Sequence, residues 1–173
     1  MPLAIAQLWA SVCSIACGGR TIYVSRELYI QGSLINTNPK SDGELVDLLM
    51  KFMAGLDALS GEQRTRNPNG NIVIVRDDPD TESFRTELMR RGVYQLAADT
   101  ELLAGIQLVG SLFQKKQVRV SSKCRHFIAE HTNYSWDASK LRAGIEEPQA
   151  TNKQAVEAFR HYVKTRVNPW RIC

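Results

Sequence analysis

Asn71-Ile72-Val73-Ile74-Val75-Arg76 is a continuous apolar run that stops abruptly at Asp77-Asp78-Pro79-Asp80. A half-exposed strand would alternate apolar and polar residues. A short unbroken run ended by a turn suits a strand buried on both faces, as in a parallel sheet. The segments on either side have helical period. In Gly43–Leu59, Leu45, Leu48, Leu49, Phe52, Met53 and Leu56 recur at three- and four-residue steps and form one amphipathic stripe, which Asp42 is placed to cap. Thr81–Arg91 is a second helix with Phe84 and Leu88 inward and Gly92 as its stop. A strand over Val93–Ala98, a helix over Thr100–Lys115 and a strand over Gln117–Ser121 follow. Strands and helices thus alternate from residue 43 onward, which specifies βα units rather than a bundle or a sandwich.

The N-terminal thirty residues read differently. Two β-rich runs, Leu3–Ile15 and Arg20–Ile30, flank Cys17-Gly18-Gly19, a hairpin signal. In the second run Tyr23 and Glu27 fall on the same face. Gln31–Asp42 and Ser60–Gly70 read as loops. Past the last strand, Ser122–His131 starts a helix, Thr132–Thr151 is irregular, and Asn152–Arg166 is a closing helix bearing Val156, Phe159 and Val163. An antiparallel hairpin followed by βα units implies an α/β fold with a mixed sheet and helices on both faces. With 173 residues, no internal repeat and 43% hydrophobic content, residues 1–173 are expected to form one domain.

Composition excludes several classes. Charged residues are 23% of the chain, and 22 Lys+Arg against 18 Asp+Glu leave a charge of only +4, which permits nucleic-acid binding without arguing for it. Gln7, Ser11, Ser14 and Arg20 interrupt the apolar N-terminus far short of the ~20 residues of a membrane span. Residues 1–16 also lack the basic start of a signal peptide, so the expected setting is cytoplasmic. Cys13, Cys17, Cys124 and Cys173 are too few and too irregular for a disulfide framework and are expected as free thiols. A zinc site gathering Cys13, Cys17, Cys124 and His126 would lack the short knuckle that such sites use. No GxxxxGK[ST] phosphate loop is present, so no nucleotide is expected. His126, His131 and His161 show no triad-like arrangement.

Two features offer chemistry. The acidic turn at Asp77, Asp78 and Asp80 lies at the C-terminal end of the buried strand, where α/β sheets bind ligands. Carboxylates there suit magnesium or manganese, and two such ions stabilise both oxygens of a phosphodiester displacement. Glu27 and Glu157 are acidic residues on other elements that could join them. The plainer alternative has Asp80 as a helix cap, the other two as turn residues, and Glu157 paired with Arg160 or His161 one turn on. The second feature is the run Lys115, Lys116, Arg119, Lys123 and Arg125, with a further group at Arg160, Lys164, Arg166 and Arg171. These either contact phosphates or form a solvated rim with Lys115 and Lys116 offsetting a helix C-terminus. Trp136 and Tyr134 are expected to pack rather than stack on bases. Gly105 and Gly110 suggest close helix packing.

Taken in order, several local patterns resemble the C-terminal nuclease domain of the large terminase subunit of tailed bacteriophages and prophages. They start near Pro2-Leu3-Ala4-Ile5 and run through Tyr23-Val24-Ser25-Arg26-Glu27-Leu28-Tyr29, then Asp78-Pro79 with Ser83-Phe84, Glu87-Leu88 and Arg91-Gly92. Ala104-Gly105-Ile106-Gln107, Tyr134-Ser135-Trp136 and Ala155-Val156-Glu157-Ala158-Phe159-Arg160 complete them. No single motif is specific; their order and spacing are, over nearly the whole chain. The resemblance implies a ribonuclease H-like mixed sheet in which three carboxylates hold two magnesium or manganese ions that cut concatemeric double-stranded viral DNA. Carried over by position, Asp78 is the second carboxylate with Asp77 beside it, and Glu157 is the third, where the family usually has aspartate. Lys115, Lys116, Arg119, Lys123, Arg125, Arg160 and Lys164 would hold the duplex. The small terminase subunit and the portal protein are the implied protein partners, in the bacterial host cytoplasm.

Two departures accompany the resemblance. The strand that carries the family's first aspartate, the central strand of the sheet, would precede Pro2 and is missing from this sequence. Lys153-Gln154 stands where the family has Asp-His, placing a cation beside the expected metal site. The family's ATPase half is also not present. Two function classes remain open: a metal-dependent packaging nuclease, and a non-catalytic DNA-binding or assembly remnant. A small α/β domain whose acidic turn is only a helix cap is a third.

Overall fold

The computed structural model describes residues 10–18, 21–30, 40–57, 73–76, 79–149 and 153–167. The elements are β1 (Ala10–Gly18), β2 (Thr21–Ile30), α1 (Asp42–Asp57), β3 (Val73–Val75), α2 (Glu82–Arg90) and β4 (Gln95–Ala97). They continue with α3 (Leu102–Gln114), β5 (Val118–Val120), α4 (Arg125–Asn133), α5 (Ala138–Arg142) and α6 (Gln154–Arg166). The chain divides into two compact units, one built on α1, β3, α2 and β4 and the other on β2, β5 and α3 to α6.

In the first unit β3 pairs in parallel with β4, Val73 opposite Gln95 and Val75 opposite Ala97. The crossover is α2, so this is a βαβ unit, the arrangement a parallel pair requires. α1 packs on α2 through Leu45, Val46, Leu49 and Leu88, all buried. Its start differs from the expected Asp42 cap by one residue. Ser41 Oγ accepts from the Glu44 N–H at 3.3 Å, while Glu44 Oε2 accepts from the Ser41 N–H at 2.8 Å, a reciprocal capping box. α2 ends as the sequence predicts: Gly92 takes a φ of +70°, and the N–H groups of Gly92 and Val93 close on the carbonyls of Met89 and Leu88. At the other end Thr81, not Asp80, takes the N-cap position.

The second unit carries the sheet β1-β2-β5. Only two residues separate β1 from β2, too few for a parallel crossover, so the pair is the expected hairpin. β2 and β5 are parallel, with Ile22, Tyr23 and Val24 opposite Val118, Arg119 and Val120. Ile22, Val24 and Val118 turn inward onto α3, α4 and α6, where Val109, Leu112, Phe127, Phe159 and Val163 form one core. Tyr23 and Arg119 face the opposite way, both exposed.

Two expectations change. The single mixed sheet becomes, among the described residues, two sheets with no strand in common. β3, β4 and β5 have three residues each. Ladders that short contribute few hydrogen bonds, so β3–β4 and β2–β5 depend on the helices packed against them. The irregular stretch 132–151 contains α5, capped by Asp137 Oδ1, which accepts from the N–H groups of Ser139 and Lys140 at 2.9 and 3.1 Å. A bridge between Trp136 and Pro148 closes this segment. Short polar helices lack the apolar stripe that periodicity detects.

Candidate functional site

Glu157 lies in the first turn of α6, where a carboxylate complements the positive helix end. Its Oε1 is 3.1 Å from Lys153 Nζ, and the two side chains are 23% and 20% exposed. A cation belonging to the chain therefore already sits on this carboxylate. The expected pairing is with Arg160 or His161 one turn on, whereas this contact runs one turn back to Lys153. Asp77 and Asp78 lie outside the described residues, and among the described residues no cluster of three acidic, His or Cys side chains is suited to a metal ion. An ion at Glu157 would have to displace the Lys153 ammonium.

Arg160, expected on the basic rim, is only 5% exposed. Its Nη1 donates to the carbonyls of Thr100 and Glu101 at 3.1 and 3.0 Å, and Nη2 lies 3.0 Å from His161 Nε2. The stem lies against Gly105, where an added Cβ would come within 2.9 Å of Arg160 Cγ. Gly105 thus permits the close α3–α6 approach that the sequence suggested, whereas Gly110 faces open space. Lys164 is also occupied, with Nζ 2.8 Å from Glu101 Oε2 and 3.6 Å from Asp99 Oδ2. The Glu101 contact, first among its causes, raises the lysine above its ordinary pKa. On α6, Arg160 and Lys164 bind the start of α3.

The other basic run is differently placed. Lys115, Lys116, Arg119, Lys123 and Arg125 are all exposed, and none forms an ion pair among the described residues. Lys115 and Lys116 lead into β5, Arg119 is its middle residue, and Lys123 and Arg125 lie just beyond it. A three-residue strand is only about 10 Å long, so charges spread over eleven sequence positions are gathered around one short strand. Lys116 adopts a left-handed φ of +56°, which turns the chain from α3 into β5. That conformation is uncommon outside glycine and asparagine, and the sequence carried no sign of it.

A chain of polar contacts that the sequence did not reveal supports this rim. Glu27 Oε1 and Oε2 accept from the N–H groups of His126 and Phe127 at 2.8 and 3.0 Å, so a side chain of β2 caps α4. Glu130, at the far end of α4, does the same for α6: Oε2 accepts from the Ala155 and Val156 N–H groups at 2.6 and 3.2 Å. Tyr29 links the two by donating its hydroxyl to Glu130 Oε1 at 2.9 Å. Both Glu27 oxygens are therefore engaged at the start of α4. Long-range caps of this kind have no signature in local spacing.

Burial and then the bond to Glu130 push the Tyr29 hydroxyl up to about 12 from its ordinary value near 10. A folded pKa above the unfolded one contributes stability that is complete below about pH 10 and is lost as pH rises to about 12. The stability difference between wild type and Tyr29→Phe in urea denaturation is expected to shrink across that window. A difference that stays constant there would overturn the assignment.

No family model matches this sequence, and no curated protein is significantly similar to it. Among solved structures, the large terminase from a thermophilic bacteriophage, in complex with ADP, superposes with a TM-score of 0.76 at 24% identity, covering 90% of this chain and 36% of that one. A second crystal form of the same phage protein gives 0.76 and 24%, with 90% and 35% covered. The P22 large terminase nuclease domain gives 0.60 at 13% identity, covering 92% of this chain and 82% of that domain. This chain spans about a third of the length of the thermophilic phage terminase. Its α/β fold is that of a terminase nuclease-like domain.

Proposed function

We propose that this chain handles double-stranded DNA in phage DNA packaging, as the nuclease-type domain of a large terminase with a ribonuclease H-like shell. The observation that carries the reading is the superposition on the thermophilic phage large terminase over 90% of the chain. The exposed run Lys115, Lys116, Arg119, Lys123 and Arg125, without an ion pair among the described residues, supplies the means: phosphate neutralisation gives sequence-independent, salt-dependent affinity. In that setting the small terminase subunit and the portal protein are its protein partners and the host cytoplasm its location.

Metal-dependent cleavage is the second reading, with Asp77, Asp78 and Glu157 as ligands for magnesium or manganese. The Lys153 ammonium on Glu157 favours binding without cutting. An ion would have to displace it, and removing a bound counter-charge from a carboxylate opposes metal affinity.

Both readings are separated by one preparation of the chain. Wild type is expected to bind a fluorescent duplex with an affinity that falls as salt rises. Replacing the five basic residues by alanine should lower the slope of log affinity against log salt by about 0.9 for each residue that meets a phosphate. Supercoiled plasmid with manganese should remain unnicked. Chelator-sensitive nicking that disappears in Asp78→Ala would instead establish the nuclease, and no duplex affinity at low salt would overturn DNA handling.

A further inference from the structure

We propose that the outward face of the β2–β5 pair is a phosphate-binding surface for duplex DNA, with the Tyr23 hydroxyl and the Arg119 guanidinium as its central contacts. This rests on the DNA-handling function above and adds an uncharged contact, Tyr23, to the basic run.

The parallel register sets Tyr23 opposite Arg119. Residues so paired project from the same side of a sheet, and neighbouring strands lie about 4.8 Å apart. Both side chains can therefore meet one phosphate group. The inward residues of these strands are apolar: Ile22, Val24 and Val118 are buried in the core, with Val120 packed against it. Strand alternation carries the outward face from Tyr23 to Thr21 and Ser25, and from Arg119 to Gln117 and Ser121 on either side of β5. All six of these side chains can donate a hydrogen bond, and none is acidic. The next residue of the alternation on β2, Glu27, is only 7% exposed, with both oxygens on the start of α4.

Tyr23 is 45% exposed and Arg119 is also exposed. Neither side chain has a hydrogen-bond or ion-pair partner among the described residues. Phosphodiester oxygens only accept, and in protein–DNA interfaces they are met by Arg, Ser, Thr, Gln and Tyr side chains. A donor-bearing face without a carboxylate and with a central guanidinium is complementary to them. Lys115 and Lys116 precede this face in the chain, and Lys123 and Arg125 follow it, with the same sign of charge.

Fluorescence anisotropy with a short labelled duplex over a salt series tests this. Tyr23→Phe removes a hydroxyl without a partner in the described fold, so its urea midpoint is expected to equal that of wild type. Its duplex affinity is expected to fall about fivefold, the worth of one hydrogen bond. The slope of log affinity against log salt should not change, because no charge is lost. Arg119→Ala should lower both the affinity and that slope, the slope by about 0.9. Tyr94→Phe, at an exposed tyrosine of the other unit, should bind as wild type. Wild-type affinity in Tyr23→Phe, or an unchanged slope in Arg119→Ala, would overturn this surface while DNA handling by the remaining cations stands. A loss confined to Tyr23→Ala would overturn the hydroxyl contact in favour of ring stacking on bases. If wild type binds no duplex at low salt, both the surface and DNA handling fall.

Discussion

Glu130→Ala is expected to destabilise the unit built on β2, β5 and α3 to α6 by about 3 kcal/mol. The carboxylate is 5% exposed and satisfies three donors: the Ala155 and Val156 N–H groups at 2.6 and 3.2 Å and the Tyr29 hydroxyl at 2.9 Å. Loss of a side-chain cap alone costs about 1 kcal/mol. Here the donors are buried, so truncation also leaves desolvated groups unpaired, at about 1–3 kcal/mol each where water cannot reach them. Tyr29 loses its shorter acceptor contact in the same step and keeps the one to Gln154 Oε1 at 3.3 Å. Against a typical total of about 5–15 kcal/mol, this is a large fraction of the stability. Glu130→Gln keeps an acceptor oxygen and is expected to lose about half as much. Urea denaturation followed by circular dichroism checks both, and a loss under about 1 kcal/mol for alanine would show that solvent replaces the cap.

Phe159→Ala is expected to cost about 3–5 kcal/mol in the same unit. Phe159 is fully buried on α6 and meets two rings edge-on, Phe127 at 5.3 Å and 76° and Phe113 at 6.2 Å and 63°. It therefore joins α3, α4 and α6 at one point. Truncation removes its own transfer free energy, both aromatic contacts and the filling of a site whose neighbours are fixed on three helices. Because those helices carry or abut the basic rim, the variant should also lose duplex affinity near its lowered melting temperature. Retention of wild-type stability would mean that the three helices collapse into the space, contrary to the rigid packing of protein interiors.

Much of the architecture was legible locally. The stripe from Leu45 to Leu56 places α1, and Gly92 marks the end of α2. The paired runs around Gly18 and Gly19 place the hairpin, and the run 71–76 places β3. These signals work because the period of burial is set by backbone geometry, and an apolar stripe must turn toward whatever core forms. Residues whose role depends on a distant partner were less legible. Arg160 and Lys164 read as members of a basic rim, yet they bind the start of α3. A sequence shows that a charge is present but not whether another element will neutralise it. Asp77 and Asp78, the acidic turn that first suggested a metal, lie outside the described residues.

By itself the sequence determined the alternation of strands and helices, the hairpin, the positions of the apolar faces, the likeness to a terminase nuclease domain and the existence of five cations with no acidic residue among them. Tertiary structure decided which charges are available. It seated Lys153 on Glu157, buried Arg160 against Gly105, spent Glu27 and Glu130 on the ends of α4 and α6, and left the cations around β5 exposed. The physical reason is range. Hydrophobic periodicity is written within one element, whereas the pairing of a charge depends on contacts between elements as much as 101 residues apart, as for Tyr29 and Glu130. Only the folded chain brings those groups within hydrogen-bonding distance.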